Sequence, residues 1–249
     1  MTLSDTQLDR YARHIILKEV GGSGQARLLA AHVLVIGAGG IGSPLIQYLA
    51  AAGIGRLTVA DDDIVALSNL QRQTLFGTRD VGTRKVVAAA NAVQRLNPDV
   101  QFTPVDQRLT AATAAPLLAA ADVVVDGSDN FATRLAIADA AHEARVPLVS
   151  AAVGQFEAQI AVYRGWEPDK PCYRCLVGGD PERPGTSCAD EGVLGAMTGV
   201  AGSLAAIEAI RQVVPFGEDT AGRLLIVDAL AFRFRTIAVP RDPACRCAA

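Results

Sequence analysis

Three groups of residues in this chain have the types and spacing to do chemistry. The first is the glycine run GAGGIG, with Gly37, Gly39, Gly40 and Gly42 placed between the apolar Val33–Ile36 and an apolar helical segment that reaches Ala52. Glycines at a strand-to-helix turn let the backbone approach phosphate oxygens, and the helix start adds unpaired N–H groups and the positive end of its dipole. A second apolar run, Leu57–Ala60, ends in Asp61, Asp62 and Asp63, where a carboxylate can accept from ribose hydroxyls. Strand, turn, helix and acid-tipped strand make a βαβ nucleotide unit, and the unit alone does not say which nucleotide.

The second group is polar and follows the acids. Ser68, Asn69, Leu70, Gln71 and Arg72 crowd polar side chains where the chain has just left the ligand-facing end of a strand, and Lys85 opens the next helix. Further on, the run Asp122–Asp126 empties into GSDN, which puts Asp129 and Asn130 at the carboxyl end of a buried strand. Asp129 suits a hard divalent cation such as Mg²⁺, or it caps the helix that follows. Taken alone, Lys85 reads as an ordinary exposed lysine and Arg13 as a solvated charge.

The third group is the cysteines. Cys172 and Cys175 have the spacing of a metal-binding knuckle, and Cys245 with Cys247 would complete four thiolates in a closed structural zinc site. The alternative is two pairs of reduced, unligated thiols. The second pair is CxC, one residue tighter than the usual knuckle. Cys188 is left over, either an incidental thiol or an acceptor of thioester or persulfide sulfur beside a Gly/Pro-rich loop.

These groups need an α/β scaffold. The 249 residues are 50% hydrophobic and only 5% aromatic, and strand-like runs alternate with alanine-rich helical ones. The expectation is a Rossmann-like βαβ nucleotide-binding half that continues into a mixed sheet with antiparallel strands in the C-terminal half. In order, the pattern predicts an amphipathic helix over 5–18, a flexible glycine connection at 21–24, helices over Lys85–Leu96, Phe131–Arg145 and Gly195–Val214, and closing strands Arg223–Asp228 and Phe232–Ala238. The last alternates Phe and Arg as a strand with one wet face does. A net charge of −3 gives no footprint for nucleic acid or an anionic membrane. Without a signal peptide or a membrane span, a cytoplasmic protein is expected, and an odd cysteine count there favours metal or thiol chemistry over disulfides.

RYARHIIL at 10–17, GAGGIG, ADDD at 60–63, SNLQRQ at 68–73, GTRK at 82–85, GSDN, PCYRC at 171–175 and the C-terminal cysteine pair together resemble one family along nearly the whole chain. It is the MoeB/ThiF group of adenylyltransferases that activate ubiquitin-like sulfur carriers, relatives of the ubiquitin-activating enzymes. The resemblance implies one adenylation domain over 1–249: a helical arm at 1–30, an ATP-binding half at 31–150 and a carrier-binding half at 151–249. It implies that ATP, with Mg²⁺, adenylylates the C-terminal glycine carboxylate of a MoaD-like or ThiS-like carrier ending in Gly-Gly.

By motif, Gly40 would meet the phosphates and Asp61 the ribose, with Asp63 nearby. The segment Ser68–Arg72 and Lys85 would hold the nucleotide, and Asp129 would position Mg²⁺ with Asn130 in support. Arg13 would reach the active site of the other subunit of a homodimer. Cys188 falls where family members carry a cysteine, one that in the thiamine branch can become linked to the carrier's C-terminus and in the molybdopterin branch is dispensable. With no rhodanese-like segment after the tail, the sulfur donor is expected to be a separate protein. None of His14, His32 and His142 is among the residues given a role by the resemblance, which suits a nucleophile already ionised at neutral pH. The competing readings are an NAD(P)-dependent oxidoreductase on the same βαβ unit and a noncatalytic scaffold that docks a carrier.

Overall fold

Parallel strands buried on both faces need helices above and below, and the apolar runs of this chain meet that need in a single eight-stranded sheet. The computed structural model describes residues 3–178, 192–245 and 247. Its sheet runs in the order β3-β2-β1-β4-β5-β6-β7-β8. The strands are β1 (His32–Ile36), β2 (Arg56–Ala60), β3 (Gln101–Val105), β4 (Val123–Asp126), β5 (Leu148–Gly154), β6 (Glu157–Tyr163), β7 (Arg223–Asp228) and β8 (Arg233–Ala238). β1 to β5 pair in parallel, and β5 to β8 pair antiparallel. The mixed sheet expected from the sequence is therefore present.

Alternation along β1 sorts its side chains between two cores. Val33 and Val35 face one layer and Leu34 and Ile36 the other. The first layer holds α4 (Gly42–Ala52), α5 (Lys85–Leu96) and α9 (Gly195–Val213), and the second holds α6 (Ala111–Leu118) and α7 (Phe131–Ala144). The chain leaves β1 for β2 on one side, whereas β4 lies on the other. Connections that diverge in this way open a crevice beyond the strand ends, here beyond Ile36 and Asp126.

Three expectations change. The helix predicted over 5–18 is two, α1 (Asp5–Arg10) and α2 (Ala12–Ile15). They break at Tyr11, which is 2% exposed and whose hydroxyl accepts from Asn97 Nδ2 at 2.9 Å, so a tertiary hydrogen bond overrides the helical period. The supposed flexible glycines form the first turn of α3 (Gly21–Ala30). β8 has no dry face: as the terminal strand it is exposed at every residue, with Phe234 62% exposed and the preceding Phe232 94% exposed. A short helix, α8 (Tyr173–Val177), follows Cys172. Among the described residues no helix is long and apolar enough to cross a membrane.

Candidate active site

The crevice at the strand ends is a cavity, and the sequence motifs meet in it. Gly40, Asp61, Asp63, Asn69, Arg72, Lys85, Asp129 and Asn130 all line its wall. The glycine turn forms one side. Gly37 takes φ +90°, a conformation L side chains rarely adopt, and its N–H donates to Ala60 O at 2.8 Å. Among the described residues the N–H groups of Gly39 and Gly40 donate to no protein acceptor, which leaves them for an anion.

Asp61 holds this turn in place. One carboxylate oxygen accepts from Ala38 N at 2.7 Å and the other from Asp63 N at 2.9 Å. Lys85 Nζ lies 2.7 Å from Asp63 Oδ2 and 3.9 Å from Asp61 Oδ1. Burial pushes the Asp61 carboxyl above its ordinary value, and the Lys85 ammonium and the two N–H donors pull only partly back. The lysine that read as exposed is 4% exposed, since it starts α5 directly under the acids.

The opposite wall is the loop after β4. Asn130, not Asp129, caps α7, its Oδ1 accepting from Thr133 N at 2.8 Å. That frees Asp129, which lines the cavity and whose carboxylate has no hydrogen bond or ion pair among the described residues, a group suited to a hard cation. Arg134 clasps this loop: its Nη2 donates to Ser128 O and, at 2.9 Å, to Ala151 O on β5.

Some predicted residues stand elsewhere. Ser68, Leu70 and Gln71 do not line the cavity. Ser68 O accepts from Arg72 Nη1 at 3.1 Å, so this residue braces the arginine. Arg13 is exposed on α2, away from the cavity. Cys188 lies outside the described residues. Sequence reasoning missed Gln73, Arg108, Arg134 and Thr198, all of which line the cavity. Gln73 closes the quoted SNLQRQ and Arg134 follows soon after GSDN, but Thr198 Oγ1, which donates to Gly195 O at 2.7 Å, carries no local signal.

Away from the cavity, the four predicted cysteines converge. Their Sγ atoms lie within 4.8 Å of one another, with separations of 3.8 Å for Cys172–Cys175, 3.6 Å for Cys172–Cys245 and 3.5 Å for Cys175–Cys247. A tetrahedral zinc with metal–sulfur bonds of about 2.3 Å sets its sulfurs about 3.8 Å apart, so the cluster fits the ion and the tight CxC spacing reaches it. Burial raises the Cys172 thiol and pushes Cys247 up to about 11. Cys245 moves down: burial opposes the shift, but hydrogen bonding from the Cys247 backbone and the neighbouring thiols outweighs it. Arg241 pins the tail, donating to Gly165 O at 3.1 Å and Glu167 O at 3.0 Å.

Comparison with known proteins agrees with this geometry. The ThiF family matches residues 11–247. The SAMP-activating enzyme E1 of Haloferax volcanii is 48% identical over 247 residues, spanning 98% of this chain and 90% of that protein. The molybdopterin-synthase adenylyltransferase of Escherichia coli is 42% identical over 243 residues, spanning 98% and 97%. Among solved structures, E. coli MccB with MccA-N7isoASN superposes with a TM-score of 0.84 at 22% identity, over 96% of this chain and 75% of that one, a likeness of fold.

Proposed function

The chain belongs to the ThiF family and is an adenylyltransferase, and on that premise we propose that it transfers AMP from ATP to the C-terminal glycine carboxylate of a ubiquitin-like sulfur carrier ending in Gly-Gly. The observation that carries the reading is the convergence of Arg72, Lys85, Asp129 and the unpaired N–H groups of Gly39 and Gly40 on one cavity. In the proposed reaction a carboxylate oxygen bonds to the α-phosphorus. The bond to the bridging oxygen breaks, and the electron pair leaves with pyrophosphate. No proton moves, and none of the three histidines lines the cavity. Arg72 and Lys85 neutralise the phosphate charge and align the chain for in-line attack. Asp61 and Asp63 stand on the ribose side. Mg²⁺, held by Asp129 with Asn130 fixing the loop, supplies further charge neutralisation when bound.

The same reading includes a structural Zn²⁺ on Cys172, Cys175, Cys245 and Cys247. It includes a cytoplasmic homodimer in which Arg13 completes the partner's site, and its exposure on α2 supports that placement. The carrier docks on the 151–249 half, where the exposed Phe232 and Phe234 offer apolar area to a partner. A separate donor protein supplies sulfur, with Cys188 as the thiol available for a covalent carrier link. A triphosphate-and-cation clamp has no use in hydride transfer, which disfavours the NAD(P) oxidoreductase.

The test mixes the protein with ATP-Mg and either a MoaD-like or a ThiS-like carrier and seeks the carrier acyl-adenylate by mass spectrometry. Its appearance with one carrier assigns the pathway, and its absence with every Gly-Gly-ended carrier refutes the reading. Asp129→Ala should abolish carrier-dependent ATP–pyrophosphate exchange, and normal exchange would remove Asp129 from the reaction.

A further inference from the structure

Gln73 sits at the end of the polar segment that carries Arg72, and its surroundings are unusual for a buried amide. The residue is 3% exposed and lines the nucleotide cavity. Its backbone is fixed, with N–H donating to Asn69 O at 2.9 Å and the carbonyl accepting from Phe76 N at 3.1 Å. Its side chain is not: among the described residues the fully buried Oε1 has no hydrogen-bond partner, and the Nε2 end lies beside the glycine turn, 3.8 Å from where a Cβ on Gly39 would stand. A second orphan, Ser128 Oγ, belongs to the same cavity wall. Buried amides are ordinarily paired, and an unpaired one costs the folded chain its desolvation free energy. Two such atoms on residues of one cavity wall mark side chains held there at a cost to the free fold, as ligand-binding groups are.

The chemistry of an amide defines that ligand. Its Nε2 end, the one beside the glycine turn, offers two donors, so its counterpart must present oxygens without hydrogens. A phosphate chain does so, and the unpaired N–H groups of Gly39 and Gly40 mark where phosphate would lie.

Resting on the adenylyltransferase reading, we propose that Gln73 is a nucleotide-contacting residue whose side-chain N–H donates to a phosphate oxygen of ATP beside Gly39. The amide is thus held with its oxygen unpaired in the free protein at a cost to stability, which a nucleotide bond to its N–H would offset. A residue that only supports the fold would have the opposite signature.

The experiment measures Mg²⁺-α,β-methylene-ATP binding by calorimetry, and thermal unfolding of the free protein, for wild type, Gln73→Met and Gln73→Glu. Gln73→Met, similar in shape but apolar, should raise Kd about tenfold or more while leaving Tm unchanged or higher. Gln73→Glu should bind more weakly still, because it sets an anion against phosphate. A Gln73→Met Kd within twofold of wild type, a lowered Tm of the free Gln73→Met protein, or tighter binding by Gln73→Glu than by Gln73→Met overturns the assignment of Gln73 alone. Failure of wild type to bind the analogue overturns the adenylyltransferase reading and the assignment with it.

Discussion

The Lys85 ammonium bridges two carboxylates of unequal exposure: Asp63 at 2.7 Å, whose side chain is 61% exposed, and Asp61 at 3.9 Å, whose side chain is 9% exposed. A cation so placed neutralises the acids in the free protein and lies on the wall of the cavity that would take the triphosphate. Lys85→Met should therefore lower kcat for carrier-dependent pyrophosphate exchange by about 10²–10³, the scale of losing a preorganised charge contact. Lys85→Arg should recover only part, because a planar fork does not replace a point charge in this space. Exchange assays on the purified variants check both outcomes.

The buried Asp61 carboxyl gives a pH signature. Burial raises its pKa in the folded state, against the pull of Lys85 and the N–H groups of Asp63 and Ala38. The folded protein thus keeps a proton at Asp61 over an interval in which the unfolded chain has lost it. Its contribution to stability is fully present below the ordinary aspartate value and is lost as pH rises through the folded pKa. Subtracting the urea-unfolding free energy of Asp61→Asn from that of wild type should give a difference that declines with rising pH over this interval and then levels. A difference that rises instead would mean that the lysine outweighs burial.

Gly40 and Thr198 meet across the cavity wall. A Cβ added at Gly40 would stand 2.8 Å from Thr198 Cγ2 and 3.0 Å from its Cβ. Gly40→Ala should destabilise the protein by about 1–3 kcal/mol, the usual range for an overpacked contact, and weaken ATP binding. Thr198→Ser, which deletes Cγ2 and retains the hydroxyl, should restore part of both losses in the double variant. A double-mutant cycle by chemical denaturation measures the coupling, and additive effects would show that the two residues do not press on each other.

The cysteine cluster predicts one zinc per chain in elemental analysis of freshly purified protein. Cys245→Ser should reduce that content and lower Tm by about 5 °C or more, since metal binding to a site absent from the unfolded chain contributes directly to folding. Prolonged chelation of wild type should reproduce the shift, and re-addition of Zn²⁺ should reverse it. Metal-free protein with unchanged Tm would leave the cluster as four plain thiols.

The sequence exposed those parts of the site whose chemistry is local. The β1–turn–α4 unit follows from an apolar run and glycines, and α5 spans its predicted bounds because its period is helical and Asn97-Pro98 stops it. The cysteine cluster was readable as pairs, although geometry alone showed that CxC reaches the other sulfurs. What stayed hidden depends on contacts between distant segments. Tyr11 interrupts a continuous helical pattern because Asn97 binds its hydroxyl. Arg134 matters because β5 brings Ala151 O beside Ser128 O. Gln73, one polar residue in a polar run, differs from its neighbours only in being buried. The dry face assigned to β8 failed because alternation records what a strand offers, not whether another layer covers it.

Helix α9 carries Gly195, Thr198 and Gly202 on one face at spacings of three and four residues. A Cβ at Gly195 would fall 2.2 Å from Gln71 O, and one at Gly202 would fall 2.3 Å from Ile41 O, so this face lies almost in backbone contact with the polar segment and the start of α4. Segments more than a hundred positions apart must therefore meet before the phosphate turn acquires its wall. Closing loops of that length costs entropy that only the completed contacts repay, so the nucleotide cavity depends on both halves of the chain. A fragment ending after β5 would leave the α4 surface uncovered, and adding the remaining half in trans should be needed to restore a competent cavity.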